Sequence, residues 1–140
     1  MEIEDGLDGL LGKTEPHATF RDARLVAVSV DYRSNEAITT WELCVGDPDD
    51  SMRAARERRR TGRLILSGVA FWIIDPPRAL DARPGLPWLT GSGPLSELST
   101  EVGRQLARLL PEGASGWYFF FASWNAHMYG GARRLTFEWV

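Results

Sequence analysis

Two stretches in which apolar and polar side chains alternate residue by residue constrain this chain more than any other feature. From Leu25 to Tyr32, Val26, Val28, Val30 and Tyr32 fall on one face and Ala27, Ser29 and Asp31 on the other; from Ile38 to Val45, Trp41, Leu43 and Val45 oppose Thr40, Glu42 and Cys44. Side chains of a strand point alternately to its two faces, so a period of two predicts half-buried strands. Arg33-Ser34-Asn35-Glu36 supplies turn chemistry between them, and the pair reads as a β-hairpin.

Further along, Leu64 to Ile74 is nearly continuous in apolar residues, which suits a central strand, and Gly68 within it marks a bulge or a close backbone approach. Trp117 to Trp124 and Arg134 to Val140 read as two more strands, joined across Asn125 to Arg133 by a turn containing Gly130-Gly131. Leu95, Leu98, Val102, Leu106, Leu109 and Leu110 recur at helical spacing, with Ser96 or Ser99 to start a helix and Pro111 and Gly113 to end it. The expected fold is a single α+β domain over residues 1–140, an antiparallel β-sheet of about five strands with one long amphipathic helix packed on it. Three segments fall outside this frame: an N-terminal arm or short helix at 1–19, an exposed Arg-rich excursion at 46–62, and a Pro/Gly-rich loop at 75–94 that carries Trp88.

Composition narrows the function classes. A net charge of −3 argues against a general affinity for nucleic acid. Cys44 is the sole cysteine, so no intramolecular disulfide forms, and a zinc site would have to draw on two histidines and carboxylates that show no ligand spacing. No metal or cofactor is expected. No apolar run approaches the roughly 20 residues that cross a bilayer, and Met1 to Asp8 is acidic where a signal peptide is basic. The chain reads as a cytoplasmic protein with no membrane contact.

Phe20-Arg21-Asp22-Ala23-Arg24-Leu25, leading straight into the first alternating strand, resembles the Phe-His-Asp-Ala opening of a group of small bacterial proteins that includes immunity-type proteins of polymorphic toxin systems. Leu64 to Val69, ending in Gly-Val, and Leu135-Thr136-Phe137-Glu138-Trp139 are similar to the same group, and Arg21 stands where the group has His. The resemblance implies a β-rich domain that works by binding a partner protein and not by catalysis.

Candidate site residues each carry two readings. His127, in Trp124-Asn125-Ala126-His127, sits among polar tips that can meet a ligand or serves as a structural hydrogen-bonding group. Asp22 either fixes the start of the first strand by accepting backbone N–H bonds or converges with His127 or Arg133. The arginines Arg56, Arg58, Arg59, Arg60 and Arg63 either grip phosphates or an acidic protein face, or keep the excursion solvated. Trp41, Trp88, Trp124 and His127 would line a pocket between helix and sheet, if one exists. The apolar strand Trp117 to Phe121 needs a cover on both faces, from the arm, the loop or a second copy. No catalytic grouping stands out. The leading expectation is a non-enzymatic binding protein, immunity-like, that engages a partner through Asp22, Arg58, Arg59, Trp88, Trp124, Asn125 and His127; the alternative is a small-molecule binder or enzyme with an aromatic pocket.

Overall fold

A computed structural model describes residues 6–75 and 86–140. Six antiparallel strands make one sheet: β1 (Thr19–Asp31), β2 (Glu36–Cys44), β3 (Arg59–Ile74), β4 (Gly91–Pro94), β5 (Ser115–Phe121) and β6 (Ala126–Trp139), in the spatial order β1-β2-β3-β6-β5-β4. The sheet curls into a half-barrel. Its interior holds Trp41, Leu43, Leu64, Leu66, Phe119 and Met128, all essentially without solvent contact. Trp41 packs against Phe20 edge-on at 5.7 Å and against Phe121 face-on at 6.1 Å, so rings fill the space between the walls.

The hairpin forms as the alternation predicts. Asp31 faces Glu36 across the turn, and Trp41, Leu43 and Val45 point inward. In β1 the expected faces are broken by a bulge: the register slips between Leu25 and Ala27, so Leu25 faces inward while Val26 is displaced outward and exposed. An extra residue in one strand inverts the side-chain parity beyond it, which an unbroken count of two cannot anticipate. Gly68 in β3 does sit at an irregularity, at φ +65°, with its N–H donated to the Asn35 carbonyl.

The sheet with one long helix is corrected on two counts. First, the sheet has six strands and carries most of the structure, because Gly91–Pro94 inside the expected Pro/Gly loop pairs with β5 as an edge strand, where a proline costs no ladder bond. Second, Leu95–Leu110 is not one helix: a 3-10 turn at Leu95–Glu97 is followed by extended Leu98, and the α-helix runs only over Glu101–Arg108 (α2). Thr100 starts it, its side chain accepting the Gly103 N–H at 3.1 Å, so the competing cap wins over the apolar spacing. Leu95 and Leu106 are buried beneath, whereas Val102 and Leu109 face solvent.

Gly130-Gly131 is not a turn. Both lie inside β6, where a side-chain carbon on Gly130 would come 2.6 Å from Leu66 and one on Gly131 2.6 Å from Phe71. The glycines are there to admit neighbouring rings and branches, and the turn between β5 and β6 is made instead at Ala122–Trp124 with Asn125 left-handed at φ +46°. β3 also begins earlier than expected, at Arg59, so the end of the Arg-rich excursion is strand paired with β2; the excursion's helix, α1, is only Arg53–Arg56. The arm is a 3-10 helix, Gly6–Leu10, that places Leu7 and Leu11 in the core. Asp8 ties it down, accepting the Phe20 N–H at 2.8 Å and the Thr19 hydroxyl at 3.0 Å. Of the loop expected at 75–94, residues 76–85 lie outside the described residues.

Candidate functional site

The two free edges of the half-barrel meet at one point. Leu25 donates its N–H to the Pro87 carbonyl at 3.0 Å, Leu89 donates to the Ala23 carbonyl at 2.8 Å, and Arg24 and Trp88 form an isolated antiparallel bridge between them. Asp22 makes this clasp reachable. Its φ of +59° is a left-handed conformation in a non-glycine residue, and the β1 register slips across it between Thr19 and Arg24. A bulge of this kind re-aims the side chains that follow.

At the clasp, the Arg24 guanidinium stands over the Trp88 indole, 5.5 Å from the ring centroid, and half of Trp88 remains exposed. Next to it lies a cleft of about 410 Å³ lined by Arg24, Cys44, Arg56, Glu57 and Arg59. Arg59 is held by donating to the Asp22 carbonyl at 3.2 Å and the Glu42 carbonyl at 3.3 Å; Arg56 donates to the carbonyls of Asp50 and Ser51, and the Cys44 thiol donates to the Arg56 carbonyl at 3.7 Å. Arg24 Nε is buried without a hydrogen-bond partner. Among the described residues no carboxylate pairs with Arg24, Arg56 or Arg59, and the carboxylate that lines the cleft, Glu57, is engaged by Arg53 at 3.0 Å. Positive charge therefore gathers here on rigidly held side chains.

Three of the candidate residues converge, namely Asp22 and Arg59, joined by a hydrogen bond, and Trp88, joined to them through Arg24. Arg58 goes elsewhere. With Arg60 it clamps Glu15 at 2.9 and 3.0 Å, and the two guanidinium groups, Arg60's hydrogen bond foremost, hold the Glu15 carboxyl below its ordinary range. Arg60 also lies over Trp139, whose indole N–H donates to the Leu11 carbonyl, so this part of the arginine cluster fastens the arm to the sheet. Arg63 pairs with Glu138.

The residues around the β5–β6 turn form a separate group. Asn125 provides the left-handed turn position and Trp124 packs on the core. His127 is stacked between Phe120 at 4.7 Å and Tyr129 at 5.7 Å on the outer face, with its backbone N–H and carbonyl both bonded to Asp75. Burial and then the charge of Asp75 raise the Tyr129 phenol above its usual range. Trp41, Trp88, Trp124 and His127 do not share a pocket: Trp41 is wholly buried among rings and Trp88 stands on the outside. Asp22 does not secure the start of β1 with its carboxylate; Asp8 does that from the arm, and Asp22 contributes its carbonyl.

Arg24 was not singled out by the sequence as a site residue, whereas Arg56 belongs to the arginine cluster weighed there. The signal of Arg24 is weak there, because an arginine at a polar position of an amphipathic strand looks like an ordinary solvent-facing residue. Among the described residues no group of three His, Cys, Asp or Glu side chains is placed to hold a metal ion, and no helix is long and apolar enough to cross a membrane. Comparison with known protein families, curated proteins and solved structures finds no match.

Proposed function

We propose that the chain is a non-enzymatic binding protein that takes a protein partner at the clasp, as an immunity-type protein of a polymorphic toxin system would. One observation carries this reading: a half-exposed tryptophan, fixed under an arginine and backed by guanidinium groups that lack carboxylate partners among the described residues, sits where the two sheet edges join. Trp and Arg are the residues whose truncation most often costs binding energy at protein interfaces, and here both are held in place before a partner arrives. The cationic surround selects a partner with an acidic face and speeds its approach. The resemblance of Phe20 to Leu25 to the immunity-type group points the same way, because that segment is the half of the clasp supplied by β1.

The test is calorimetric titration of the chain with toxin domains encoded beside it, with Trp88→Ala and Arg24→Ala run in parallel. Affinity lost in both variants, with unfolding transitions close to that of the native chain, supports the reading. A partner that binds both variants as tightly as the native chain removes the clasp from the interface, and no binding to any such domain removes the immunity-type function.

A further inference from the structure

We propose that the outer surface of β4 at Gly91 is a binding site for a small molecule that carries a flat aromatic ring with a hydrogen-bond acceptor on it. The site uses neither the Trp88 indole nor the arginines of the clasp, so it goes beyond the partner-binding reading and does not depend on it.

A row of rings on the outer face ends one strand short of the sheet's edge. Tyr129 lies parallel to His127, with 2° between their planes and centroids 5.7 Å apart, and His127 stacks on Phe120 at 4.7 Å. His127 and Phe120 are direct cross-strand partners on β6 and β5. Their separation matches the roughly 4.7–4.9 Å between neighbouring strands, so these rings are layered in the direction in which the strands succeed one another. The next position in that direction is Gly91 on β4, the partner of Phe120 on its other side. Gly91 has no side chain to continue the row, and among the described residues no ring lies against the second face of the partly buried Phe120.

Among the described residues nothing demands a glycine there. Gly91 has no positive φ, it pairs with Phe120 in unbroken register, and a side-chain carbon built on it meets nothing within 4 Å. Gly62, Gly116, Gly130 and Gly131 differ, since each has a neighbouring side chain 2.6 Å or less from where its own carbon would stand. A glycine weakens a strand, and marks a bulge, a bend or the close approach of another backbone or a ligand. At Gly91 the register shows no bulge and no described residue approaches, which leaves the ligand.

The gap opens onto a cleft of about 350 Å³ that Gly91 shares with Asp8, Thr19, Arg21, Thr90 and Ser92. A ring laid over Gly91 becomes the next layer on Phe120, and its substituents reach this cleft. Three of the polar side chains there are already engaged: Asp8 accepts from Thr19 and from the Phe20 N–H, and Thr90 accepts from the Ala122 N–H. The Arg21 guanidinium and the Ser92 hydroxyl have no partner among the described residues, and both can donate. They call for an acceptor oxygen on the ring, so that an apolar face and a few convergent polar groups together define the ligand.

Calorimetric titration with naphthoate tests this, with cyclohexanecarboxylate as the ligand that keeps the carboxylate and lacks the flat ring. Saturable binding of naphthoate, with cyclohexanecarboxylate about tenfold weaker for want of the ring-on-ring contact, is the expected result. Gly91→Leu fills the gap with a side chain of its own and is expected to abolish naphthoate binding, while its unfolding midpoint stays at or above that of the native chain because the space it enters is empty. Arg21→Ala is expected to weaken binding about threefold, the value of a solvent-exposed charge pair. Trp88→Ala is expected to bind naphthoate as the native chain does. Should Gly91→Leu fold poorly, the Phe120 ring protons of the native protein are followed by NMR and are expected to move upfield with naphthoate, shielded by the ring stacked on them. No binding of naphthoate, equal binding of cyclohexanecarboxylate, full affinity in a folded Gly91→Leu or in Arg21→Ala, unmoved Phe120 resonances, or affinity lost in Trp88→Ala each overturns the proposal. None of these readouts involves a protein partner, so a failure here leaves the partner reading intact, and a failed partner search leaves this site standing.

Discussion

Arg24 and Trp88 are joined twice: their backbones form the bridge that closes the sheet edges, and the Arg24 guanidinium rests 5.5 Å from the centre of the Trp88 ring. The backbone bonds of the clasp belong to their neighbours Leu25 and Leu89, so the indole is not what keeps the edges together. Trp88→Ala is therefore expected to lower stability by only about 0.5–1 kcal/mol, the value of an exposed cation–π contact. Chemical denaturation measures this. A loss of several kcal/mol would mean that Trp88 is a structural residue and not a surface anchor.

Inside the half-barrel, the Trp41 indole N–H donates to the Thr39 hydroxyl at 2.6 Å, and that hydroxyl donates to the Leu64 carbonyl at 2.9 Å. Thr39 has no solvent contact, so Thr39→Val keeps the shape and orphans both groups. Roughly 1–3 kcal/mol of destabilisation is expected from the stranded indole donor. A denaturation midpoint equal to that of the native protein would show that Trp41 finds another acceptor.

Gly131 in β6 faces Phe71 and Leu110 at 2.6 and 2.8 Å from where a side-chain carbon would stand. Gly131→Ala is expected to cost about 1–3 kcal/mol by overpacking a site with rings on one side and the end of the α2 segment on the other. Gly91, which meets nothing within 4 Å, is the control: Gly91→Ala should leave the unfolding midpoint nearly unchanged.

Glu15 carries a pH signature. Its carboxyl is held below the ordinary value by hydrogen bonds from Arg60 and Arg58 and by their charge, so the clamp is fully present above the unfolded-state value of about 4.5 and fades as pH falls through the lower folded value. Thermal melts of Glu15→Gln against the native protein should differ at pH 7 and converge as the pH drops below 4.5. A difference that stays constant across that range would show that the charge of Glu15 is immaterial to the clamp.

Tyr129 works in the opposite direction. Its phenol is raised above 10.0 by burial and by Asp75, so the folded state is favoured up to that pH and loses ground as the pH climbs through the folded value, while the unfolded chain ionises first. Tyr129→Phe should remove this alkaline loss, seen as a smaller drop in melting temperature as the pH is raised from below 10.0 to above it. An unchanged alkaline slope would place the sensitivity elsewhere.

Much of the sheet is legible in the residues. Trp41, Leu43 and Val45 were identified as inward-facing from spacing alone, and the apolar run at Leu64–Ile74 identified the central strand. Where the reading fails, a contact distant in sequence has overridden a local preference. Gly130 and Gly131 carry a turn's composition, yet rings from β3 and the α2 segment require the missing side chains. Leu95 to Leu110 carries a helix's spacing, yet Thr100 caps a shorter one. The candidate site was half visible: Asp22, Trp88 and the cluster holding Arg56 and Arg59 stood out, whereas Arg24 looked like a solvated charge and Arg58 proved to serve Glu15.

What the sequence determined alone is which segments extend and which way most of their side chains point, because both follow from the fixed geometry of a strand, residue by residue. What only the tertiary structure decided is where the sheet's edges meet. Bulges at Asp22 and Val26 reset the parity and bend β1, and the curl of six strands then carries Arg24 to Trp88 and sets three guanidinium groups around one cleft. Such convergence depends on register and curvature summed over the whole sheet, and no local spacing encodes that sum.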